Sequence, residues 1–395
     1  MKRRVVITGT GYFSAIGNNI SDVIDNIKND NINESSISLE RDVKVRVVDA
    51  FNVKDFTGRD KKVKYLNRGA QFGVAAALKA FVNSGIDKNI EKAGLITSFG
   101  PNLDIGGEIN SVSNGTISKK DLNALWLLRF LPNTATSVIA SRTGFHGENS
   151  TVSTACASSL NAIGEAFRKI KDGYLDVALT GGGDSRVSYG GLLAYEMAGA
   201  LSKSNIHRPF DHERDGFISG EGGAFLMLEE LSHAQKRSAN IFAEVKGFSL
   251  SLDNTSLTAP DPTGIYAERS MRNALSEANI TPSSVDLISS HGTGTNLNDD
   301  VEADLIKRVY GEQSKAISIK SWSGHLSTAC GALETSLSID FMRSSFIPKI
   351  RGLKNPISDI NFNLKNTDES IETVALQNFG FGGQNCALII KKWNE

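Results

Sequence analysis

The chain has 395 residues, with 43 basic and 44 acidic side chains and a formal net charge of -1. So balanced a charge gives no global positive field to draw it to nucleic acid or to an anionic membrane surface. Hydrophobic residues make up 40% of the chain, but no apolar run approaches the ~18 residues of a membrane span, so a water-soluble protein is expected.

The N-terminal Val5-Val6-Ile7 follows three basic residues, yet it is far too short for the ~7–15-residue core of a signal peptide. Three cysteines (Cys156, Cys330 and Cys386) with no CxxC pair indicate neither a disulfide framework nor a zinc site. A cytoplasmic setting, with no metal, is expected. Length alone suggests either two to three domains or one fold built from two similar halves.

Strands are expected at Val5–Thr8, Gly94–Thr97 and Val177–Thr180, with helices over Ala70–Ser84 and Ser158–Lys171. After Leu231–Arg237 the pattern restarts, with strands at Ile241–Ser251, Val285–Ser290, Ala316–Ile319, Thr373–Gln377 and Ala387–Ile390. Helical patterns over Ala267–Ala278, Asp300–Tyr310 and Cys330–Arg343 separate them. Strands alternating with helices imply an α/β architecture with mixed sheets covered on both faces. Two units, 1–240 and 241–395, are expected to pack as one body, because no Pro- or Ser-rich linker divides them. Ser-Thr-Ala-Cys occurs at both Ser153–Cys156 and Ser327–Cys330, which hints at duplication. Residues 101–147 break the rhythm as a loop-rich stretch with Trp126 and Phe130, a candidate cover for a substrate channel.

Gly9-Thr10-Gly11 resembles the start of a dinucleotide fingerprint, but Ser14 stands where the third glycine belongs. A tight turn at the strand exit is the better reading. Cys156 lies among small residues where a β-branched stretch meets a helix, so a helix N-terminus is expected to favour its thiolate. Cys330 and Cys386 read as buried small hydrophobes. His291 opens the turn His291-Gly292-Thr293-Gly294-Thr295, and His325 follows a strand in Lys320-Ser321-Trp322-Ser323-Gly324-His325. Glu334 lies where it can pair with Lys320 if the chain folds back. His207 and His212 sit near Asp211, Glu213 and Asp215 without metal-ligand spacing, and a surface loop is expected there. One cysteine at a helix start and two histidines on strand-end loops suit acyl transfer through a thioester.

Seven stretches, from Arg4–Gly11 through Thr154–Ser159, Arg208–Asp211, Arg214–Phe217, His291–Thr295 and Gly324-His325 to Phe379–Gly383, resemble the β-ketoacyl-acyl carrier protein synthases. The resemblance implies a thiolase-like fold, a duplicated α/β/α/β/α layering with mixed five-stranded sheets. It implies that Cys156 carries an acyl group while His291 and His325 stabilise the enolate left by malonyl decarboxylation. Lys320 and Glu334 would support them, and the backbone N–H groups of Cys156 and Phe381 would hold the oxyanion. Thr258, Thr293, Thr295 and Phe379 would contact the substrate, and Lys61, Lys62, Lys64 and Arg68 an acidic acyl carrier protein. No free cofactor is implied, since the carrier's phosphopantetheine bears the substrates. The partner would be a second copy or a chain-length-factor-like homologue. Gln384 stands where many members have Thr, and the Asp253–Ser256 stretch departs from a family histidine near the pantetheine site, while Asn298-Asp299 looks more like type II polyketide and aryl-polyene enzymes than housekeeping ones. A non-catalytic chain-length partner, a housekeeping elongation synthase and a thiolase are the rival readings.

Overall fold

The computed structural model describes residues 3–88, 90–100, 112–113, 116–117 and 125–394. A mixed sheet dominates it, ten of whose strands lie in one unbroken order. The N-terminal five run Val5–Phe13, Ser219–Glu230, Val177–Ser185, Ala93–Phe99 and Asn149–Thr151. Their pairings are antiparallel, antiparallel, parallel and parallel. The C-terminal five run Ala243–Leu252, Gln384–Lys392, Thr373–Gly380, Leu287–Ser289 and Lys315–Ile317, with the same succession of pairings. Val5–Ile7 paired with Ala243–Val245 joins the two sets.

Side-chain alternation along the strands sorts the core into layers. Ile96, Ala178, Leu226 and Leu228 face inward to the helices Ser158–Lys171 and Cys330–Ser344, and Leu376, Leu388 and Ile390 meet those helices from the C-terminal half. Leu95, Val177, Leu179, Phe225 and Met227 face outward to the helix Arg68–Ser84. Ala387 and Ile389 face the helix Ile265–Ala278. The order is helix, sheet, central helices, sheet, helix. Every residue of the second central helix from Cys330 to Met342 is buried, as its middle position requires.

The duplication is structural, but the repeated tetrapeptide does not mark it. Each half has a short turn before its central helix, Ala155–Ala157 before Ser158 and Ser327–Ala329 before Cys330. Both turns open on a left-handed residue, Ala155 at φ 48° and Ser327 at φ 47°. Cys156 therefore corresponds to Thr328, and the two Ser-Thr-Ala-Cys stretches are two residues out of register.

Three other expectations change. Gly9 and Gly11 lie inside the strand Val5–Phe13 and do not form an exit turn. A Cβ at either would come within 2.4 Å of a carbonyl of the outer helix, at Ala80 or Ala76. Ser219–Glu230, a fully buried strand, had no expected counterpart. Within 101–147, Asn133–Thr143 is a helix and Trp126–Arg129 a single turn, while residues 101–111, 114–115 and 118–124 lie outside the described residues.

The two central helices meet where Gly331 faces Leu160. A Cβ on Gly331 would stand 2.5 Å from Leu160 Cβ and 2.7 Å from its backbone nitrogen. Gly331→Ala is expected to destabilise the fold by about 1–3 kcal/mol, read as a lower midpoint in denaturant. An unchanged midpoint would show that the helices can part without cost.

Candidate active site

In each half, the parallel strands end on the same side and deliver loops there, where α/β sheets place their sites. Phe99, Thr151 and Ser185 end the N-terminal parallel strands, and the turn bearing Cys156 follows Thr151. Ser289 and Ile317 end two C-terminal strands, with His291 and Lys320 just beyond. A cavity of about 310 Å³ lies between them, lined by Cys156, His291, His325 and Phe379. Thr258, Thr293, Thr295 and Phe381 line it too.

Cys156 follows Ala155, whose left-handed backbone costs of order 1–3 kcal/mol in a residue with a Cβ. Ser158 holds this turn: its Oγ donates to the Ala155 carbonyl at 2.6 Å and accepts from Thr154 N–H at 2.8 Å. Gly380 presses on the turn from the C-terminal half. A Cβ there would lie 2.6 Å from the Thr154 carbonyl and 3.2 Å from Cys156 N. The glycine thus lets the loop bearing Phe381 reach the cysteine.

Cys156 is partly exposed and lines this cavity. Burial pushes its thiol up to about 11, while the Lys320 ammonium pulls it down. Burial thus works against the thiolate that the helix start was expected to favour.

His291 and His325 are buried, with rings 5.9 Å apart and nearly perpendicular. Burial first, then the Lys320 charge, holds both well below the usual imidazole range, so both are neutral. Ser327 N–H donates to His325 Nδ1 at 2.9 Å, which places the proton on Nε2. Cys330 Sγ lies 3.8 Å from the same nitrogen, and Phe217 packs on the ring at a 34° tilt, 4.6 Å between centroids. Behind the histidines, Lys320 Nζ meets Glu334 Oε1 at 2.5 Å. Burial pulls Lys320 down, but the Glu334 carboxylate more than offsets it and keeps the ammonium charged.

Several supporting residues carried no expectation. Asn378 Nδ2 donates to Glu334 Oε2 at 2.7 Å and lies 3.4 Å from His291 Nδ1. Glu302 accepts the backbone N–H groups of His291 and Gly292 at 2.6 and 2.7 Å, and Gln377 Nε2 at 2.7 Å. Burial raises it to about 7. Asp299 binds the next stretch through Thr293 N–H and Gly294 N–H. The usable signal was two carboxylates three positions apart at the start of the helix Asn296–Tyr310.

His207 departs from the expected surface loop. It is buried, and its Nε2 donates to the Thr293 carbonyl at 2.8 Å, bracing the His291 loop. Lys61, Lys62 and Lys64 are exposed and do not line the cavity. Arg68 is held by Glu221 at 2.5–2.6 Å, so its charge is balanced internally.

Two family models match, the β-ketoacyl synthase N-terminal domain over residues 2–234 and its C-terminal domain over residues 242–354. A 3-oxoacyl-acyl-carrier-protein synthase 2 of Coxiella burnetii is 33% identical, with 99% of each chain covered. One of the same name from Staphylococcus aureus is 31% identical, again over 99% of each. Among solved structures, the chain is similar to a type II polyketide-synthase acyl-carrier protein in complex with its ketosynthase bound to the hexaketide. The TM-score is 0.88 at 25% identity, with 100% of both chains covered. The ishigamide ketosynthase/chain length factor gives 0.89 at 27%, also over 100% of both.

A thiol with a raised pKa makes alkylation depend steeply on pH. The rate at Cys156 with iodoacetamide is expected to rise about tenfold per pH unit between pH 7 and 10, followed by peptide mass spectrometry. Lys320→Met should slow it at every pH. A rate that levels off below pH 8 would show a thiolate at rest.

Proposed function

This chain belongs to the β-ketoacyl synthase family, condensing enzymes of the acyltransferase type, and from that premise we propose how its site works. Cys156 attacks an acyl thioester; the sulfur–acyl bond forms, the acyl–pantetheine bond breaks, and the Cys156 proton ends on the departing pantetheine thiol. A malonyl thioester then enters, and its carbon–carboxylate bond breaks to release carbon dioxide. The N–H groups of His291 and His325 stabilise the enolate oxygen. The α-carbon attacks the acyl carbonyl, and Cys156 is released as the new carbon–carbon bond forms. Backbone N–H groups of Cys156 and Phe381 hold the oxyanion of each tetrahedral species.

The observation that carries this reading is one cavity lined by Cys156 and two neutral imidazoles. Neutral N–H donors stabilise developing negative charge in a water-poor site without any proton transfer. Lys320 and Glu334 lie behind them and set the local potential. Thr258, Thr293, Thr295 and Phe379 line the path for the pantetheine arm, with the Thr293 and Thr295 hydroxyls 2.8 Å apart.

The partner would be an acyl carrier protein, met by the exposed Lys61, Lys62 and Lys64, with no free cofactor. The halves 1–240 and 241–395 would act as one unit, paired with a second copy or a chain-length-factor-like homologue, in the cytoplasm. Among the described residues no helix is long and apolar enough to cross a membrane. Cys156 beside both histidines favours a catalytic subunit over a purely shaping one.

His291→Ala and His325→Ala are each expected to permit acylation of Cys156 yet lose roughly 10²–10³ in malonyl decarboxylation, measured as released carbon dioxide. Normal decarboxylation in both variants would rule the mechanism out. Failure of one variant to acylate would make that histidine the base for Cys156.

A further inference from the structure

His325 depends on a turn that needs a clasp. The N–H that fixes its proton on Nε2 comes from Ser327, 2.9 Å from Nδ1, and Ser327 is left-handed at φ 47°. Such a backbone is unfavourable for any residue with a Cβ and persists only where its surroundings hold it. The corresponding turn of the N-terminal half is held from within. There Ser158 Oγ donates to the Ala155 carbonyl at 2.6 Å and accepts from Thr154 N–H at 2.8 Å. With Ala155 matched to Ser327, the residue in the place of Ser158 is Cys330. A thiol is a weak donor and a weak acceptor, and Cys330 Sγ faces His325 Nδ1 at 3.8 Å. The C-terminal turn therefore lacks an equally strong clasp of its own.

A clasp reaches it from elsewhere in the chain. Tyr195, on the helix Tyr189–Met197, brings its hydroxyl to 2.5 Å from Ser327 Oγ. Ser327 is buried, so this bond is shielded from water. The same tyrosine ring meets Phe217 edge-on at 5.1 Å between centroids, and Phe217 packs on the His325 imidazole at 4.6 Å. Tyr195 thus reaches His325 by two routes, through Ser327 to Nδ1 and through Phe217 to the ring face. All three aromatic rings line the cavity with Cys156.

We propose that Tyr195 is a positioning residue for His325: its hydroxyl holds the left-handed Ser327, which keeps the Ser327 N–H on Nδ1 and leaves the Nε2 proton free for the enolate. The proposal rests on the reading of His325 as an enolate donor and adds the residue that aims it.

The test uses the full-length protein and three variants. Tyr195→Phe removes the hydroxyl and keeps the ring. Ser327→Ala removes the other end of the same bond and keeps the strain. Each should lower kcat for malonyl decarboxylation by roughly three- to tenfold, as expected for one lost hydrogen bond. The KM for the malonyl thioester and the acylation of Cys156, timed by intact mass, should not change. Nitrogen-15 NMR with labelled histidine should show His325 Nδ1 moving from the Nε2-protonated position towards a mixture of tautomers. Adding Ser327→Gly to Tyr195→Phe should recover most of the loss, because glycine takes a left-handed backbone without strain and leaves no hydroxyl unpaired.

An unchanged kcat or an unmoved His325 resonance in Tyr195→Phe would overturn the proposal. So would an equal loss of acylation, which would place Tyr195 on the acyl chain, or a double variant no better than Tyr195→Phe alone. Should Tyr195→Phe fail to fold, Ser327→Ala decides by the same two readouts. Normal decarboxylation by His325→Ala would remove the enolate reading instead, and the NMR shift would still decide whether Tyr195 positions the ring.

Discussion

The site depends on one ammonium kept charged inside the protein. Lys320 and Glu334 are almost wholly buried, and a lysine in such a place without a partner would give up its proton. Glu334 prevents that. With the charge fixed, His291 and His325 stay neutral, because a second cation beside Lys320 is opposed by both burial and repulsion. The same charge favours the Cys156 thiolate once it forms. Burial and this one ion pair together bias the protonation of three reacting groups.

The pair also ties the two halves of the fold together at the site. Glu334 extends from the buried central helix, and its second oxygen holds Asn378 near the end of the strand Thr373–Gly380. Gly380 then rests against the Cys156 turn of the other half. Duplicated turns have diverged in use. The left-handed Ala155 presents a nucleophile, whereas the left-handed Ser327 gives its N–H to His325 and leaves Thr328 to hold Asp184.

Much of this was legible in the sequence because it is local. Alternation of β-branched and helical stretches gave the layers, and the bounds Ser158–Lys171 coincide with the observed helix. What sequence reading missed was set by distant contacts. Gly9 and Gly11 read as a turn, yet their reason is the helix lying 65 and more residues away in the chain, against Ala76 and Ala80. Ser219–Glu230 is buried on both faces, so it lacks the alternation that betrays a half-exposed strand, and its glycines disguise it further. A helix start suggested a thiolate at Cys156, while the burial that works against it exists only in the folded chain. Asn378 gave no signal, since its role exists only once Glu334 and His291 converge on it.

The most direct measurement is a nitrogen-15 NMR titration of the folded protein with labelled histidine. His291 and His325 should both remain neutral from pH 8 down to pH 5, with the His325 proton on Nε2. The depression below the ordinary value of 6.5 follows from burial and the Lys320 charge. Protonation of either ring near pH 6.5 would contradict burial and the Lys320 charge as what keeps these imidazoles neutral.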